Sequence, residues 1–163
     1  MGVWWQEVGQ TIRQEFSDLP DATGVTRIIL RLLIAAILGG ILGFEREQKG
    51  KAAGLRTHML VALGAALFVL IPQQAGVSDA DLTRVLQGLV AGVGFLGAGT
   101  IIKGSDEEEI KGLTTAAGIW LTAAIGVAAG MGREATAVLC TVLAMVILYT
   151  VPKFAGRFEN HEK

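Results

Sequence analysis

Long apolar runs, separated by short charged segments, set the pattern of this chain. About 20 residues, at a rise of about 1.5 Å per residue, cross the hydrocarbon core of a bilayer as a helix. Five runs reach or approach that length, and they occupy residues 25–45, 57–71, 84–102, 113–131 and 133–151. The pattern therefore predicts an all-α polytopic membrane protein, with a domain of five transmembrane helices over residues 25–151. The second run is short and needs tilt or a flanking helical segment to span.

The two ends of the chain differ in character from the apolar runs. Within residues 1–24, Trp4, Val8 and Ile12 recur near one side of a predicted helix, and Trp5 adds a second indole. An amphipathic helix with aromatic anchors is typical of a segment that lies in the membrane interface. We therefore expect an N-terminal interfacial segment over residues 1–24 and a short cytoplasmic tail over residues 152–163.

Composition supports a membrane protein and argues against several classes of function. Apolar residues make up 52% of the chain, charged residues 18%, and the mean hydropathy is +0.52. A soluble protein of this size would need more charge to cover its surface. The net charge of −1 argues against a general affinity for nucleic acid. The single cysteine, Cys140, excludes an intramolecular disulfide, and no catalytic constellation is present, so we do not expect an enzyme.

Lysine and arginine are distributed unequally between the two sides of the predicted membrane domain. Nine lie on the side that carries the first loop, the third loop and the C-terminus, against four on the other side. Because cytoplasmic loops carry the excess of basic residues, the N-terminus is predicted outside and the C-terminus in the cytoplasm. Arg31 lies inside the first predicted span near its outer end, where snorkelling of its side chain accounts for it.

Glycine is frequent in the third predicted span, where Gly92, Gly94 and Gly97 form the string G-x-G-x-x-G. A dinucleotide-binding turn needs a preceding strand and an acid about 20 residues later, and neither is present. Small residues instead let transmembrane helices approach closely. We predict helix packing through Gly39, Gly43, Gly88, Gly92, Gly94, Gly97 and Gly99. The third span is then central, and the glycine-free fifth span lies at the lipid-facing rim.

Two predicted helical hairpins resemble each other in sequence. "GGILGF" at 39–44 is echoed by "VGFLGA" at 93–98, and "GLRT" at 54–57 is echoed by "GLTT" at 112–115. Both copies run from the outside to the inside and back. The sequence therefore predicts a parallel repeat in which helices 1–2 correspond to helices 3–4.

The first loop carries charges that the second copy lacks. Glu45 and Glu47 close the first predicted helix and Arg56 opens the second, and each charge opposes its helix dipole at a cost of about 0.3–1 kcal/mol. Because these ends are neighbours in a hairpin, an ion pair between Arg56 and either glutamate would offset both penalties. An ordinary positive-inside loop with balancing acids fits the sequence equally well. His58 has no second histidine or cysteine nearby, so we expect no metal site there.

Three stretches occur in order along the chain: "GFEREQKGKAAGLRTHMLVALGAALF", "GVGFLGAGTII" and "GLTTAAGIWLTAAIGVAAGMG". Together they resemble the MgtC/SapB family of bacterial inner-membrane proteins, over about residues 30–150. The resemblance marks a charged loop and a second motif as family positions. The loop positions are Glu45, Arg46, Glu47, Gly54, Leu55, Arg56 and Thr57, and the second motif comprises Gly94, Gly97, Gly99, Gly112, Thr114, Thr115 and Trp120.

This resemblance implies a role in adaptation. Family members are associated with growth at low magnesium, acid tolerance and, for some, survival inside host cells. Some are thought to act on other membrane machinery, including the F-type ATP synthase. Many also carry a soluble C-terminal domain, whereas this sequence stops at residue 163. We therefore expect the membrane domain alone, in a bacterial inner membrane, and the resemblance does not decide on a role that depends on the soluble domain, such as virulence.

Two classes of function remain open. In the first, the protein regulates other membrane machinery, binding a partner complex or a second copy through its small-residue faces. In the second, it is an oligomeric transporter or channel for magnesium or another cation. The third to fifth spans hold no charged side chain deep in the bilayer, which favours the regulator. Either class predicts a homo-oligomer, because five helices cannot bury every glycine notch within one chain.

An acidic run in the third loop is the candidate for Mg²⁺, and no other cofactor is expected. Its residues are Asp106, Glu107, Glu108 and Glu109. Divalent cations favour clustered carboxylate oxygens. A solvated acidic loop is the competing interpretation.

Overall fold

The computed structural model describes residues 2–15, 17, 21–103 and 110–159. These residues are helical apart from connecting turns and one short hairpin. The elements are α1 (Gly2–Glu15), α2 (Ala22–Gln48), α3 (Leu55–Gln74), α4 (Asp79–Ala98), β1 (Ile102–Lys103), β2 (Ile110–Lys111), α5 (Leu113–Gly130) and α6 (Glu134–Glu159). Residues 1–30 and residues 31–163 form two compact units.

The first unit contains the amphipathic helix α1. Trp4, Trp5 and Ile12 are exposed on it, and the two indole rings pack edge to face with their centroids 4.6 Å apart. Edge-to-face contacts of this kind are favoured by the ring quadrupoles. Its position in the membrane interface stays a prediction.

Helix α5 is central to the second unit. It packs against α3, α4 and α6. Its approach to α3 is the closest: a Cβ at Gly126 would lie 2.2 Å from the carbonyl oxygen of Ala62, and one at Gly130 would lie 2.5 Å from that of Ala66. The expectation that the third predicted span is central is therefore wrong, because that span corresponds to α4, which lies to one side of α3 and α5.

The polar N-terminal half of α4 explains its peripheral position. The helix is capped by Ser78, whose hydroxyl accepts a hydrogen bond from the backbone N–H of Asp81 at 3.2 Å. Asp81 forms an ion pair with Arg84, and both side chains are exposed. Because these charges require a polar environment, this half of the helix cannot enter an apolar core.

Small apolar residues form the core of the second unit. One buried cluster joins α2, α3, α5 and α6, and a second joins α3, α4 and α5 around Ala65, Val93 and Ile119. The first cluster includes Ala35, Ala62, Ala66, Ile125, Ala129 and Ala137. Helix α6 exposes much of its apolar surface, including Leu139, Leu143 and Ile147, as the sequence predicts for a helix at the rim.

Four helical segments of the described chain are long and apolar enough to cross a membrane: Ala22–Gln48, Leu55–Gln74, Leu113–Gly130 and Glu134–Lys153. The chain is thus a multi-pass helical protein. The helices overrun the predicted spans, since α3 continues through Pro72 to Gln74 and α6 continues through Pro152 to Glu159, into the predicted tail. Helix α4 is not among the four, and its N-terminal half carries Asp79, Asp81 and Arg84, which lower its hydropathy.

A short antiparallel hairpin occupies the loop between α4 and α5, where the sequence predicts no strand. Ile102 pairs with Lys111, and Lys103 pairs with Ile110. The acidic run 106–109, the candidate for Mg²⁺, lies outside the described residues. The hairpin leads into Gly112, whose φ of +96° and distance of 1.9 Å between a built Cβ and the Thr100 carbonyl oxygen leave room for glycine alone.

Candidate functional site

The charged loop between α2 and α3 closes one end of the helical bundle. Glu47 lies in the last turn of α2, and its Oε2 accepts a hydrogen bond from the backbone N–H of Leu55 at 2.8 Å. The first N–H groups of a helix lack partners within the helix, and the N-terminus attracts negative charge. Gly54, at the N-cap, forms no side-chain cap of its own. Glu47 therefore caps α3 from eight residues upstream.

Glu45 and Arg46 form a buried ion pair with each other. Their side chains are 2% and 6% exposed, and Oε2 of Glu45 accepts from both Nε and Nη2 of Arg46. The second carboxylate oxygen, Oε1, is buried with no hydrogen-bond partner. Since a buried charge without its partner is strongly destabilising, each side chain depends on the other.

The predicted ion pair between Arg56 and a glutamate is not present. Arg56 is exposed and has no ion pair among the described residues. The glutamates have other partners, since Glu45 binds Arg46 and Glu47 binds the backbone of α3. A carboxylate on the free N–H already offsets the dipole of α3, so the arginine at its second position can extend into solvent.

His58 is the most deeply buried polar residue of this end, with no exposed surface. Its Nδ1 lies 3.0 Å from the carbonyl oxygen of Gly54, one turn earlier. A carbonyl can only accept, so Nδ1 carries the hydrogen and Nε2 of the neutral ring is an acceptor. Nε2 has no partner and faces Gly118, where a built Cβ would lie 3.5 Å away.

Two glycines of α2 leave the space that α3 occupies around His58. A Cβ at Gly39 would lie 2.6 Å from the carbonyl oxygen of His58, and one at Gly43 would lie 2.9 Å from its Cβ. Gly97 of α4 is packed less closely, since a Cβ built there would lie 3.5 Å from the Cβ of Ala116 in α5. A Cβ built at any of three other glycines of α4 would meet nothing within 4 Å in the described structure; these are Gly88, Gly92 and Gly94. This side of the helix is therefore open in the single chain.

A cleft of about 450 Å³ separates the end of α2 from α5 and α6. Its charged side is formed by Glu45, Arg46, Lys49 and Lys51, and its apolar side by Ile147, Leu148, Val151 and Pro152, with Thr114 between them. We call this the basic cleft. An inner cavity of about 170 Å³ shares Arg46, Thr114, Ile147 and Leu148 with it and reaches His58 and Leu121. The cavity and the cleft therefore adjoin.

The second-motif residues are distributed over different environments. Thr114 lines both the basic cleft and the inner cavity. Thr115 is buried, whereas Trp120 is half exposed and lines a separate groove between α4 and α5. Gly99 follows α4, and Thr57 is exposed at the start of α3.

The opposite end of the bundle is held by Arg31. Its Nη1 donates to the carbonyl oxygen of Gly130 at 3.0 Å and to Oε1 of Gln73 at 3.4 Å, and its Nε lies 3.8 Å from Oε1 of Glu134. The guanidinium thus joins the ends of α3, α5 and α6 and satisfies a carbonyl at the C-terminus of α5. Snorkelling, the interpretation from sequence, understates these contacts.

Sequence reasoning missed His58, Lys49 and Lys51 as residues of the site. The one signal for His58 was its position one turn after Gly54, in a helix that otherwise carries no charged residue beyond Arg56. The lysines looked like an ordinary basic loop. Only the fold brings them against α6, almost 100 residues later.

Comparison with known proteins places this chain in a sequence family. The model of the MgtC family matches residues 32–157. "Putative magnesium transporter YhiD" of Escherichia coli is 40% identical over 81% of this chain and 64% of its own length. "Protein SrpB" of Synechococcus elongatus is 43% identical over 72% of this chain and 71% of its own length. "Protein MgtC" of Brucella abortus is 44% identical over 69% of this chain and 46% of its own length. The chain thus spans about half to two thirds of most of these relatives, and no solved structure matches it.

Proposed function

The chain belongs to the MgtC family, and we propose that it is a non-enzymatic regulator of other membrane machinery in magnesium homeostasis and acid adaptation. We place it in a bacterial inner membrane with the charged loop in the cytoplasm. One relative is named "Putative magnesium transporter YhiD", which links this proposal to magnesium. Regulation and transport differ in whether an ion crosses the protein, so the interior of the bundle bears on the choice.

The apolar interior between the two charged ends carries the proposal. Along the described bundle, no Asp, Glu, Lys, Arg or His side chain lies in the core between His58 at one end and Arg31 at the other. That interval holds Ala62, Ala66 and Ala129, each completely buried. Its buried Thr122 and Thr141 donate their hydroxyl groups to backbone carbonyls of their own helices. An ion pathway ordinarily keeps ionisable groups at membrane depth. The basic cleft also presents cationic side chains at its mouth, which repel Mg²⁺.

Magnesium flux into proteoliposomes tests the proposal. We expect the purified protein to give no flux above empty vesicles, with helix content and insertion confirmed on the same sample. Glu45→Gln serves as the matched variant, because it removes the buried charge without changing the size of the side chain. Its flux is compared only in samples whose helix content and insertion match those of the parent, since the substitution also unpairs Arg46. Flux above the control that falls in Glu45→Gln would establish the alternative, a cation transporter with the charged loop on its path.

An oligomer is the second part of the proposal, and the open face of α4 supports it. A Cβ built at Gly88, Gly92 or Gly94 would have nothing within 4 Å in the described structure of the single chain, and Phe95 beside them is 81% exposed. A second copy, or a helix of a partner complex such as the F-type ATP synthase, would cover this face. Crosslinking in native membranes through Gly92→Cys, in a Cys140→Ala background, should give a dimer or a heterologous adduct. Monomer alone would contradict this part.

We propose that α4 is a fifth crossing and that the two hairpins are a parallel repeat. Helices α3 and α5 both begin at the end that holds the charged loop, since His58 and Gly118 meet there. The chain leaves α3 at the other end, so α4 has to return across the same thickness. In the proposed repeat, Gly97 corresponds to Gly43 and Ala116 corresponds to His58. The contact between Gly97 and Ala116 therefore matches the contact between Gly43 and His58. Labelling Val77→Cys, before α4, and Ile110→Cys, after it, with an impermeant maleimide should place them on opposite sides. Labelling of both from the same side would refute the crossing.

A further inference from the structure

The basic cleft and the inner cavity that adjoins it combine charge, unpaired hydrogen-bond acceptors and an apolar wall. We propose that it binds an anionic phospholipid whose headgroup carries hydroxyl groups, with the phosphate on Lys49 and Lys51 and an acyl chain along α6. The inference does not depend on the proposed function, because a regulator and a transporter could both use a bound lipid.

Charge selects an anion for this cleft. Arg46, Lys49 and Lys51 contribute three positive charges, and Glu45 contributes one negative charge that is already used by Arg46. Lys49 and Lys51 are exposed and have no ion-pair partner within the described part of the chain. Two free ammonium groups on one side of a cleft favour a phosphate, and each basic residue near a membrane surface adds to the attraction.

Two buried acceptors lack donors, one beside the cleft and one beside the inner cavity that adjoins it. Glu45 lines the basic cleft, and His58 lines the inner cavity. Oε1 of Glu45 and Nε2 of His58 have no hydrogen-bond partner among the described residues, and these residues are 2% and 0% exposed. A buried acceptor without a donor is costly, so a ligand that brings hydroxyl groups is favoured over one that brings only acceptors. A glycerol headgroup supplies such hydroxyls beside its phosphate, as in phosphatidylglycerol.

The apolar wall selects a lipid over a soluble phosphate. Ile147 and Val151 are 57% and 56% exposed beside the cleft, and Leu148 continues the wall into the inner cavity. Apolar surface of this kind gains from contact with an acyl chain and nothing from a soluble anion. A metal ion is disfavoured, since no group of three or more His, Cys, Asp or Glu residues that could hold one occurs among the described residues.

Lipid titration of the purified full chain in detergent, read by native mass spectrometry, tests the proposal. Phosphatidylglycerol should bind more tightly than phosphatidylcholine with the same chains, and glycerol phosphate should bind far more weakly than either. Lys49→Gln with Lys51→Gln should weaken phosphatidylglycerol roughly 10- to 30-fold and leave phosphatidylcholine unchanged. Val151→Trp, which fills the apolar wall, should weaken both lipids.

Arg56→Gln is the matched control, because it removes an exposed positive charge at the same end of the bundle but outside the cleft. It should change phosphatidylglycerol binding by less than about twofold. Equal binding of the two lipids would overturn the proposal, as would an Arg56→Gln effect as large as that of the lysine pair. Glycerol phosphate binding as tightly as the lipid would show instead that the site takes a soluble phosphate.

Discussion

The buried pair of Glu45 and Arg46 gives the sharpest test of the structure. Glu45→Gln leaves the guanidinium of Arg46 in a site where only 6% of its side chain is exposed. Removing one partner of a buried ion pair typically costs about 3–5 kcal/mol, because the remaining charge stays unpaired in a poorly solvated site. Arg46→Met should cost a similar amount by leaving the carboxylate unpaired. The double variant removes both charges and should recover at least about 2 kcal/mol of the summed loss.

A second cycle distinguishes this pair from the one that the sequence suggested. Arg56 is exposed and unpaired among the described residues, so Glu45→Gln and Arg56→Gln should add within about 0.5 kcal/mol. The measurement is the unfolding free energy in mixed micelles titrated with sodium dodecyl sulfate, followed by circular dichroism. Additivity of Glu45→Gln with Arg46→Met, or a larger coupling with Arg56, would refute the reasoning.

Two further predictions concern the rest of the bundle. Arg31→Met should lower the unfolding free energy by about 2 kcal/mol, because it removes a charge-assisted hydrogen bond to a helix carbonyl. Arg133→Met, an exposed control at the same end, should leave the unfolding free energy unchanged. Equal effects of the two substitutions would contradict the role of Arg31 in joining the helix ends. Gly126→Ala should cost about 1–3 kcal/mol through overlap with the backbone of α3. Gly92→Ala, with nothing within 4 Å, should leave monomer stability unchanged or raise it by up to about 1 kcal/mol; the reverse order would show that the helix pairing is wrong.

The apolar pattern was sufficient to locate helices α2 to α6 but not their ends, and four of these helices are long and apolar enough to cross a membrane. The predicted run 57–71 became α3, Leu55–Gln74, because the helix starts where Glu47 supplies a cap and continues through Pro72. Proline removes a helix hydrogen bond and usually ends a helix at the preceding residue, so the sequence pattern stops before Pro72. A cap contributed from eight residues away has no signature in the local sequence. The hairpin of β1 and β2 was missed for a similar reason, since strands of two residues have no periodicity to detect.

The charged site was located from sequence, but its pairing was not. Glu45, Glu47 and Arg56 all lie at the predicted end of the bundle. Sequence spacing brings Arg56 and the glutamates close, yet it cannot show that Glu47 reaches a backbone N–H or that Arg46 turns towards its own neighbour. Adjacent residues on a helix do not usually face each other. The contacts of Arg46 follow from the space left by α5 and α6, and that is a property of tertiary packing.

The error over the central helix has a physical explanation in the same sequence. Glycine lets helices approach, whether the neighbour belongs to the same chain or to another, so glycine content alone cannot tell a central helix from an interface. The distribution of charge does distinguish the two helices. Helix α4 carries Asp79, Asp81 and Arg84 near its start, whereas α5 has no charged residue from Leu113 to Gly130. A helix that must be apolar on every side can hold no charge, and that condition selects α5. Gly88, Gly92 and Gly94 of α4 then remain at the surface of the single chain, where an oligomer or a partner would need them.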